Sequence, residues 1–230
     1  RVYSGIFDGQ GHTISGLYFD KTRSYQVGLF GYIGAKGKIS DVGVLDSYFQ
    51  FNAVGGGVCG VNYGVLQNCS NSSTVFGTER SAKIGGVCGT NYCTVRDCKN
   101  TGSVRGHEEI GGVCGYNSSY GIIENCFNEG IVSGTNRNIG GVCGNNDRGT
   151  TKCCYNTASV SGLKTVGGVC GSNRDGTITN CFNEGTVSGK YYVGGVCGDN
   201  SYGGTTNCYY LSGTALGGIE GQDVNGSAEK

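Results

Sequence analysis

Residues 166–189 read VGGVCGSNRDGTITNCFNEGTVSG, and residues 110–134 read IGGVCGYNSSYGIIENCFNEGIVSG. The pentapeptide Gly-Gly-Val-Cys-Gly near the start of each segment occurs six times, and its cysteines follow one another after 29, 26, 29, 27 and 27 residues. These cysteines are Cys59, Cys88, Cys114, Cys143, Cys170 and Cys197. A nearly constant period of this length indicates that one small structural unit is stacked many times.

The composition argues against two classes of partner. The chain has 230 residues, of which 47 are Gly and none is Pro, Met or Trp, and its 17 basic residues equal its 17 acidic residues in number. Because a nucleic-acid binder usually carries a basic face, we predict no nucleic-acid partner. The apolar runs fall far short of the ~20 residues that cross a bilayer, so we predict no membrane insertion. No initiator Met or signal segment opens the chain, and we expect a piece of a longer or processed protein.

Each repeat contains short runs rich in β-branched residues and bounded by Gly or Asn, which is typical of strands and turns. In the segment quoted first, these runs are Val166–Cys170, the stretch around Ile178–Cys181, and Thr186–Ser188. The sequence therefore predicts an all-β parallel β-helix with about three strands in each coil of ~27 residues. Stacking in register would place four valines in one axial file: Val87, Val113, Val142 and Val169.

Asparagine recurs at two places in the repeat. Asn62, Asn91, Asn117, Asn146, Asn173 and Asn200 follow the first cysteine, and Asn71, Asn100, Asn128, Asn156 and Asn183 follow a second cysteine. Asn tolerates the left-handed backbone of a tight corner, so these residues are at least turn residues. Equivalent side chains in stacked coils could also form hydrogen-bonded ladders.

Each of the six copies has a second cysteine ten to twelve residues after the first. These second cysteines are Cys69, Cys98, Cys126, Cys154, Cys181 and Cys208. A degenerate copy at 27–44 has Phe30 and Val42 in the two cysteine places, so both cysteines are missing from one coil together. This favours pairing within a coil and predicts six bridges: Cys59–Cys69, Cys88–Cys98, Cys114–Cys126, Cys143–Cys154, Cys170–Cys181 and Cys197–Cys208. The alternative is a column of reduced thiols that pack as small apolar groups.

Two cysteines, Cys93 and Cys153, fall outside this pattern and are candidate unpaired thiols. Cys153 precedes Cys154 where other copies have Asn, so the partner of Cys143 stays open between the two. The spacings differ from those of zinc knuckles, and His12 and His107 are the two histidines of the chain. We predict neither a metal site nor a cofactor.

The segment 166–189 resembles the GLUG repeat of bacterial surface proteins and IgA-specific metallopeptidases, and the lead-in from Tyr3 to Leu17 resembles the stretch that opens such arrays. The resemblance extends from about Tyr3 to Leu211. It implies a right-handed β-solenoid on an exported bacterial protein. It does not imply peptidase activity, because the repeats of those enzymes lie outside the catalytic domain.

The residues supply no complete catalytic motif. His-Glu-x-x-His and Gly-x-Ser-x-Gly are absent from the sequence. The equivalent positions Glu129 and Glu184 would lie two coils apart, roughly 10 Å, which is loose for paired-carboxylate chemistry. His107 beside Glu108 and Glu109 is typical of a solvated turn. We predict that the chain is not an enzyme, and a glycan-cleaving β-helix enzyme ranks last among the functions considered.

We divide the chain into a lead-in strand and first coil or cap (1–27), the stacked solenoid (28–211) and a fading coil or linker (212–230). The favoured function is a non-catalytic structural or adhesive module on the bacterial cell surface, acting as a disulfide-braced spacer. The alternatives are a self-associating extracellular filament subunit and a receptor for glycans or host proteins. The expected partners are neighbouring domains of the same polypeptide, copies of itself, glycans or host proteins. Seven tyrosines that lie partly in turns either pack over those turns, which we favour, or supply a contact surface: Tyr116, Tyr120, Tyr191, Tyr192, Tyr202, Tyr209 and Tyr210.

Overall fold

The chain folds as a parallel β-solenoid, as the repeat predicts. A computed structural model describes residues 2–20, 25–78, 82–215, 217–219 and 226–229, and within these ranges every regular element is a strand. The strands pair in parallel with the equivalent strands of the neighbouring coils and form three sheets.

The first two sheets each contain seven strands, one from each successive coil. Sheet I consists of Gln26–Val27, Val54–Gly56, Ala82–Gly85, Glu108–Gly111, Arg137–Gly140, Lys164–Gly167 and Tyr191–Gly194. Sheet II consists of Phe30–Ile33, Cys59–Asn62, Cys88–Asn91, Cys114–Asn117, Cys143–Asp147, Cys170–Arg174 and Cys197–Asp199.

Sheet III completes each coil and contains 19 strands. Its first strands are Ile6–Ser15, Tyr18–Asp20, Lys38–Phe51, Val65–Gln67 and Ser70–Gly77. Three short strands then come from each coil: Thr94–Arg96, Lys99–Asn100 and Val104–Gly106; Ile122–Glu124, Phe127–Asn128 and Val132–Gly134; Thr150–Lys152, Tyr155–Asn156 and Val160–Ser161; Thr177–Thr179, Phe182–Asn183 and Val187–Ser188. The sheet ends with Gly204–Tyr210 and Gly226–Glu229.

The axial file of valines is present. The amide of Val87 donates to the carbonyl of Val113, Val113 to Val142, and Val142 to Val169, with N···O distances of 2.9–3.1 Å. All four side chains are fully buried. Like residue therefore lies over like residue, which confirms the stacking that the period predicts.

The strand expected over Val166–Cys170 is two strands, and this corrects the sequence prediction. Sheet I ends at Gly167 and sheet II begins at Cys170, so the chain turns a corner at Gly168 and Val169. A β-carbon on Gly167 would lie 1.9 Å from the carbonyl oxygen of Cys170, and one on Gly168 would lie 2.2 Å from Cγ of Asn183. The paired glycines are needed because backbone and side-chain atoms approach this corner too closely for any other residue.

Both sets of asparagines form buried ladders. Nδ2 of each Asn donates to Oδ1 of its equivalent in the next coil at 2.7–2.9 Å, from Asn62 through to Asn200 and from Asn71 through to Asn183. The ladder asparagines do not adopt the left-handed backbone. One set of residues that does lies at the corner of the second cysteine: Asp41 before Val42, and Asn68, Asp97, Asn125, Cys153, Asn180 and Asn207 before the cysteines. The ladder asparagines thus join the coils, and different residues make that corner.

The core is a continuous apolar column between the three sheets. Ile84, Ile110, Ile139 and Val166 lie over one another on sheet I and are fully buried. Complete burial of one such side chain stabilises the fold by about 1.5–3 kcal/mol. Described strands occur in the lead-in (1–27), in the stacked solenoid (28–211) and in the segment 212–230, so no change in the described structure marks the boundaries at 27 and 211. The division of the chain at these two residues therefore stays a prediction.

Candidate functional surfaces and the cysteine columns

The first cysteine of every coil lies on sheet II in a single axial column. Cys59 pairs with Cys88, Cys88 with Cys114, Cys114 with Cys143, Cys143 with Cys170, and Cys170 with Cys197 as direct register partners. Phe30 pairs with Cys59 and occupies the same place in the preceding coil, as the sequence predicts. All six thiols are fully buried.

The second cysteines form another column at a corner of sheet III. The carbonyl of Cys69 accepts the amide of Lys99 at 3.0 Å, and the same bond recurs between Cys98 and Phe127 at 3.1 Å. The amide of Cys98 also points at Sγ of Cys126, 3.4 Å away. This column runs through Cys69, Cys98, Cys126, Cys154, Cys181 and Cys208, and Val42 precedes it.

All fourteen cysteines are thiols in the structure, so the six bridges within coils stay a prediction. Burial raises the pKa of Cys88, Cys114 and Cys170 well above that of a free thiol, because the interior disfavours a thiolate. The structure settles which residue continues the second column: Cys154 is buried, whereas Cys153 is exposed. Cys93 is half-buried at the turn position where other coils have glycine.

The tyrosines expected on the surface divide into two groups. Tyr120 and Tyr202 are 90% and 71% exposed, and Tyr191, Tyr192 and Tyr209 are about half exposed. Tyr210 is buried, with 4% of its surface accessible, which corrects its assignment as a contact residue. It pairs with Asn183 and closes the end of an asparagine ladder.

Three stacks of aromatic rings along the axis, all among the described residues, are not anticipated from the sequence. Tyr18 stacks on Tyr48 with ring centroids 5.4 Å apart. Tyr63 lies between Tyr32 and Tyr92, with ring centroids 5.4 Å and 4.3 Å away. On sheet III, Phe127 stacks on Tyr155 at 4.9 Å, almost parallel to it. The sequence does contain the pattern, because Tyr63 and Tyr92 each follow a ladder asparagine. The rings turn their faces towards one another, which leaves mainly their edges for a ligand.

A polar cluster surrounds Tyr116, which is half-buried. Its hydroxyl donates to Asp147 at 2.6 Å, and Nζ of Lys83 lies 4.3 Å from its ring centroid. Burial and the bond to Asp147 raise the pKa of Tyr116 above its usual range. Burial also raises the pKa of Glu109, which accepts a 3.0 Å hydrogen bond from Nδ2 of Asn145. These contacts join neighbouring coils, although Oδ1 of Asn145 and Oδ1 of Asp147 are buried without a hydrogen-bond partner.

Two further acidic residues and His107 also make contacts between coils. Glu124 pairs with Lys152 at 2.8 Å, and Glu129 pairs with Lys99 at 3.0 Å. Glu129 and Glu184 occupy equivalent places two coils apart, as the sequence predicts. Nδ1 of His107 lies 3.0 Å from the hydroxyl of Thr135.

Among the residues that the structure describes, no group of three or more His, Cys, Asp or Glu side chains is arranged to hold a metal ion. His12 lies on the exposed first strand of sheet III. Within the same described residues, no helix has the length and apolar character needed to cross a bilayer.

Comparison with protein families finds the GLUG motif three times, at residues 82–105, 106–133 and 162–188. The chain is 32% identical over 80 residues to halomucin of Haloquadratum walsbyi, which involves 35% of this chain and 1% of that protein. It is also 32% identical over 71 residues to a protein of Evansella cellulosilytica described as a Gly-rich membrane protein, and this involves 30% of the chain and 8% of that protein. The chain therefore spans a small part of the curated relatives that it matches.

A similar fold occurs in a crystal structure from Bacteroides ovatus described as an immunoglobulin A1 protease. The TM-score is 0.60 at 20% identity, and the match covers 97% of this chain and 68% of that one. At this identity the likeness concerns the fold alone. The chain is thus a β-solenoid in which three segments match the GLUG motif.

Proposed function

We propose that this chain is a non-catalytic, rigid spacer of an exported bacterial surface protein, which holds binding surfaces away from the cell. The observation that carries the proposal is the pair of buried asparagine ladders, whose members connect every coil from Asn62 to Asn200 with bonds of 2.7–2.9 Å. A rod that is hydrogen-bonded internally along its length resists bending. The matches to halomucin and to a Gly-rich membrane protein support a place at the cell surface.

The surface fits a presenting role better than a catalytic one. Its acidic residues Glu124 and Glu129 are neutralised by lysines of neighbouring coils, and Asp147 accepts the Tyr116 hydroxyl. The exposed rings of Tyr120 and Tyr202 stand at turns on the outside of the rod. We infer an adhesive contribution from these turns, with glycans or host proteins as ligands, and no catalytic role.

Small-angle scattering over a concentration series tests the spacer. Sheet III stacks nine strands along its longest file, so the rod should rise about 40 Å along its axis. We expect a monomeric mass and one constant maximum dimension at all concentrations. A flexible chain, with a maximum dimension that spreads widely, would contradict the proposal.

A filament subunit is the second candidate, and one observation favours it. The first strand of sheet III, Ile6–Ser15, pairs with Lys38–Phe51 along one edge, and no described strand pairs with its other edge. Ile6 is 76% exposed, and Tyr18 on the following strand is 75% exposed. Exposed strand edges with apolar side chains favour the addition of further strands. Growth of the scattering mass with concentration would support the filament over the spacer.

Cell-surface location needs its own experiment. Antibodies raised against the chain should label intact cells of the source organism, and external protease should remove the label. Labelling that requires lysis would contradict export. A glycan array with wild-type protein and a Tyr120→Ala, Tyr202→Ala variant then tests the adhesive part, since those two rings are the most exposed of the tyrosines at the turns after the first asparagine ladder. Equal glycan binding by the two proteins, or no glycan binding by either, would contradict the adhesive contribution of these turns.

A further inference from the structure

We propose that the twelve column cysteines form disulfides between neighbouring coils, in one fixed pattern. The pairs are Cys59–Cys88, Cys114–Cys143 and Cys170–Cys197 in the first column, and Cys69–Cys98, Cys126–Cys154 and Cys181–Cys208 in the second. The proposal rests on the proposed function in one respect: disulfides form in oxidising compartments, and an exported protein enters such a compartment.

The axial neighbours meet the Cα–Cα condition for a disulfide, and a small rotation of the two residues towards each other must bring their Cβ atoms to about 3.5–4.5 Å. Cys88 is a direct register partner of both Cys59 and Cys114 on adjacent parallel strands. Such strands lie about 4.7–4.9 Å apart, and a disulfide needs Cα atoms about 4.4–6.8 Å apart. In the second column the amide of Cys98 lies 3.4 Å from Sγ of Cys126, so that thiol reaches the neighbouring coil. By contrast, no strand ladder joins the two cysteines of one coil, because Cys88 lies on sheet II and Cys98 at a corner of sheet III.

The number of thiols decides which neighbours pair. Each column is a row of six with apolar residues before it, Phe30 in one column and Val42 in the other. If each of the six cysteines in a column can form a disulfide only with an adjacent member, there is one arrangement in which all six are bonded. Pairing that starts from Cys88 and Cys114 would leave the end members without partners. Both columns pair the same coils, so three pairs of coils would each be joined by two bridges.

The chemistry is thiol–disulfide exchange with a low-molecular-weight disulfide such as oxidised glutathione. One cysteine thiolate attacks the glutathione disulfide and forms a mixed disulfide, and one glutathione thiolate leaves. The neighbouring cysteine thiolate attacks the sulfur of the first cysteine, so the protein S–S bond forms as the second glutathione leaves. Two cysteine thiols are oxidised, one glutathione disulfide is reduced, and the two cysteine protons end on the two glutathione thiols. Because the folded columns are buried, exchange takes place while the coils are stacking.

Tryptic mapping after oxidative refolding distinguishes the patterns. The whole chain, with Cys93→Gly and Cys153→Asn, is refolded with reduced and oxidised glutathione, alkylated and digested without reduction. Both substitutions use residues that other coils carry at those positions, which removes the two thiols outside the columns. The fragments that contain column cysteines are 39–80, 84–96, 97–99, 106–137, 138–148, 153–164, 165–174, 175–190 and 191–230.

Pairing between coils predicts three clusters of three fragments each. They are 39–80 with 84–96 and 97–99; 106–137 with 138–148 and 153–164; and 191–230 with 165–174 and 175–190. Pairing within coils would instead join 84–96 to 97–99, 138–148 to 153–164 and 165–174 to 175–190, and it would leave the other three fragments single with internal loops. That second pattern, a link between 84–96 and 106–137, or twelve alkylated thiols would overturn the proposal.

A single substitution gives an independent readout. In the same background, Cys88→Ala leaves Cys59 as the free thiol if neighbouring coils pair, and it leaves Cys98 free if each coil pairs internally. Alkylation of the native variant in mild denaturant, followed by fragment mass, identifies the residue. Alkylation at Cys98 would contradict the proposal. The scattering measurement on reduced protein is unaffected by either result, so failure of the pairing and failure of the spacer function are distinguishable.

Discussion

Replacement of Asn128 by alanine tests whether the ladders hold the coils together. Asn128 lies in the middle of the second ladder and is fully buried. Its Oδ1 accepts from Nδ2 of Asn100 at 2.7 Å and from the amide of Gly130 at 3.3 Å. Its Nδ2 donates to Oδ1 of Asn156 and to the carbonyl of Gly130, both at 2.7 Å. Alanine removes all four hydrogen bonds.

The expected loss follows from these bonds. Each hydrogen bond contributes about 0.5–1.5 kcal/mol net, so the free energy of unfolding should fall by about 4 kcal/mol. The donors and acceptors left in the dry interior act in the same direction. Equilibrium unfolding in urea, followed by circular dichroism on fully reduced protein, measures the change.

Two further variants make the result specific. Thr157→Ala changes an exposed residue of the neighbouring coil and should alter the free energy of unfolding by less than about 0.5 kcal/mol. Asn128→Asp keeps the shape and the acceptors but has no N–H group, so it should cost at least as much as alanine. A loss of less than about 1 kcal/mol for Asn128→Ala would refute the view that the ladder stabilises the stack.

Three other predictions concern the core, the corner and one carboxyl group. Ile139→Ala, at a fully buried position, should lower the free energy of unfolding by about 2–5 kcal/mol, and Ile131→Ala at a position 51% exposed should cost far less; urea unfolding compares them. Gly167→Ala would place a β-carbon 1.9 Å from a backbone carbonyl oxygen and should destabilise the folded protein by at least about 1–3 kcal/mol. The control is Gly204→Ala, whose β-carbon meets nothing within 4 Å and should leave stability nearly unchanged. Thermal unfolding compares the two variants. Burial raises the folded-state pKa of Glu109, so its contribution to the free energy of unfolding falls as pH rises from the unfolded-state pKa through the folded-state pKa. The Glu109→Gln variant should therefore be more stable than the wild-type protein near pH 7 and lose that advantage at low pH. Equal dependence of the free energy of unfolding on pH in the two proteins would contradict the raised pKa.

Much of the architecture could be predicted from spacing alone. When coils have equal length, residues one period apart must lie over one another, and Val113 over Val142 is the result. The same reasoning places Phe30 and Val42 in the two cysteine columns. The β-strand period of two also identifies the inward side of a strand, since Ile123 is buried between two half-buried neighbours.

The path of the chain within one coil was harder to predict. Val166–Cys170 has the composition of one strand, yet the chain bends at Gly168 because Asn183 and the neighbouring backbone fill the space beside it. The ladder asparagines are of a residue type that tolerates a left-handed backbone, yet residues such as Asn125 and Cys153 adopt it instead. These details depend on atoms that approach from other parts of the coil, and the local sequence does not contain that information.

The sequence by itself determined the period, the identity of the stacked columns and the residues that face inward, because a repeated length forces equivalent residues into the same axial positions. Only the tertiary structure decided which groups within those columns touch. Cys88 meets Cys59 and Cys114 along the axis because parallel strands fix the separation of neighbouring coils, and Asn128 reaches Asn100 and Asn156 for the same reason. The hydrogen-bonded distance between strands is a property of the folded backbone, and it sets the contacts on which both the rigidity and the proposed covalent bracing depend.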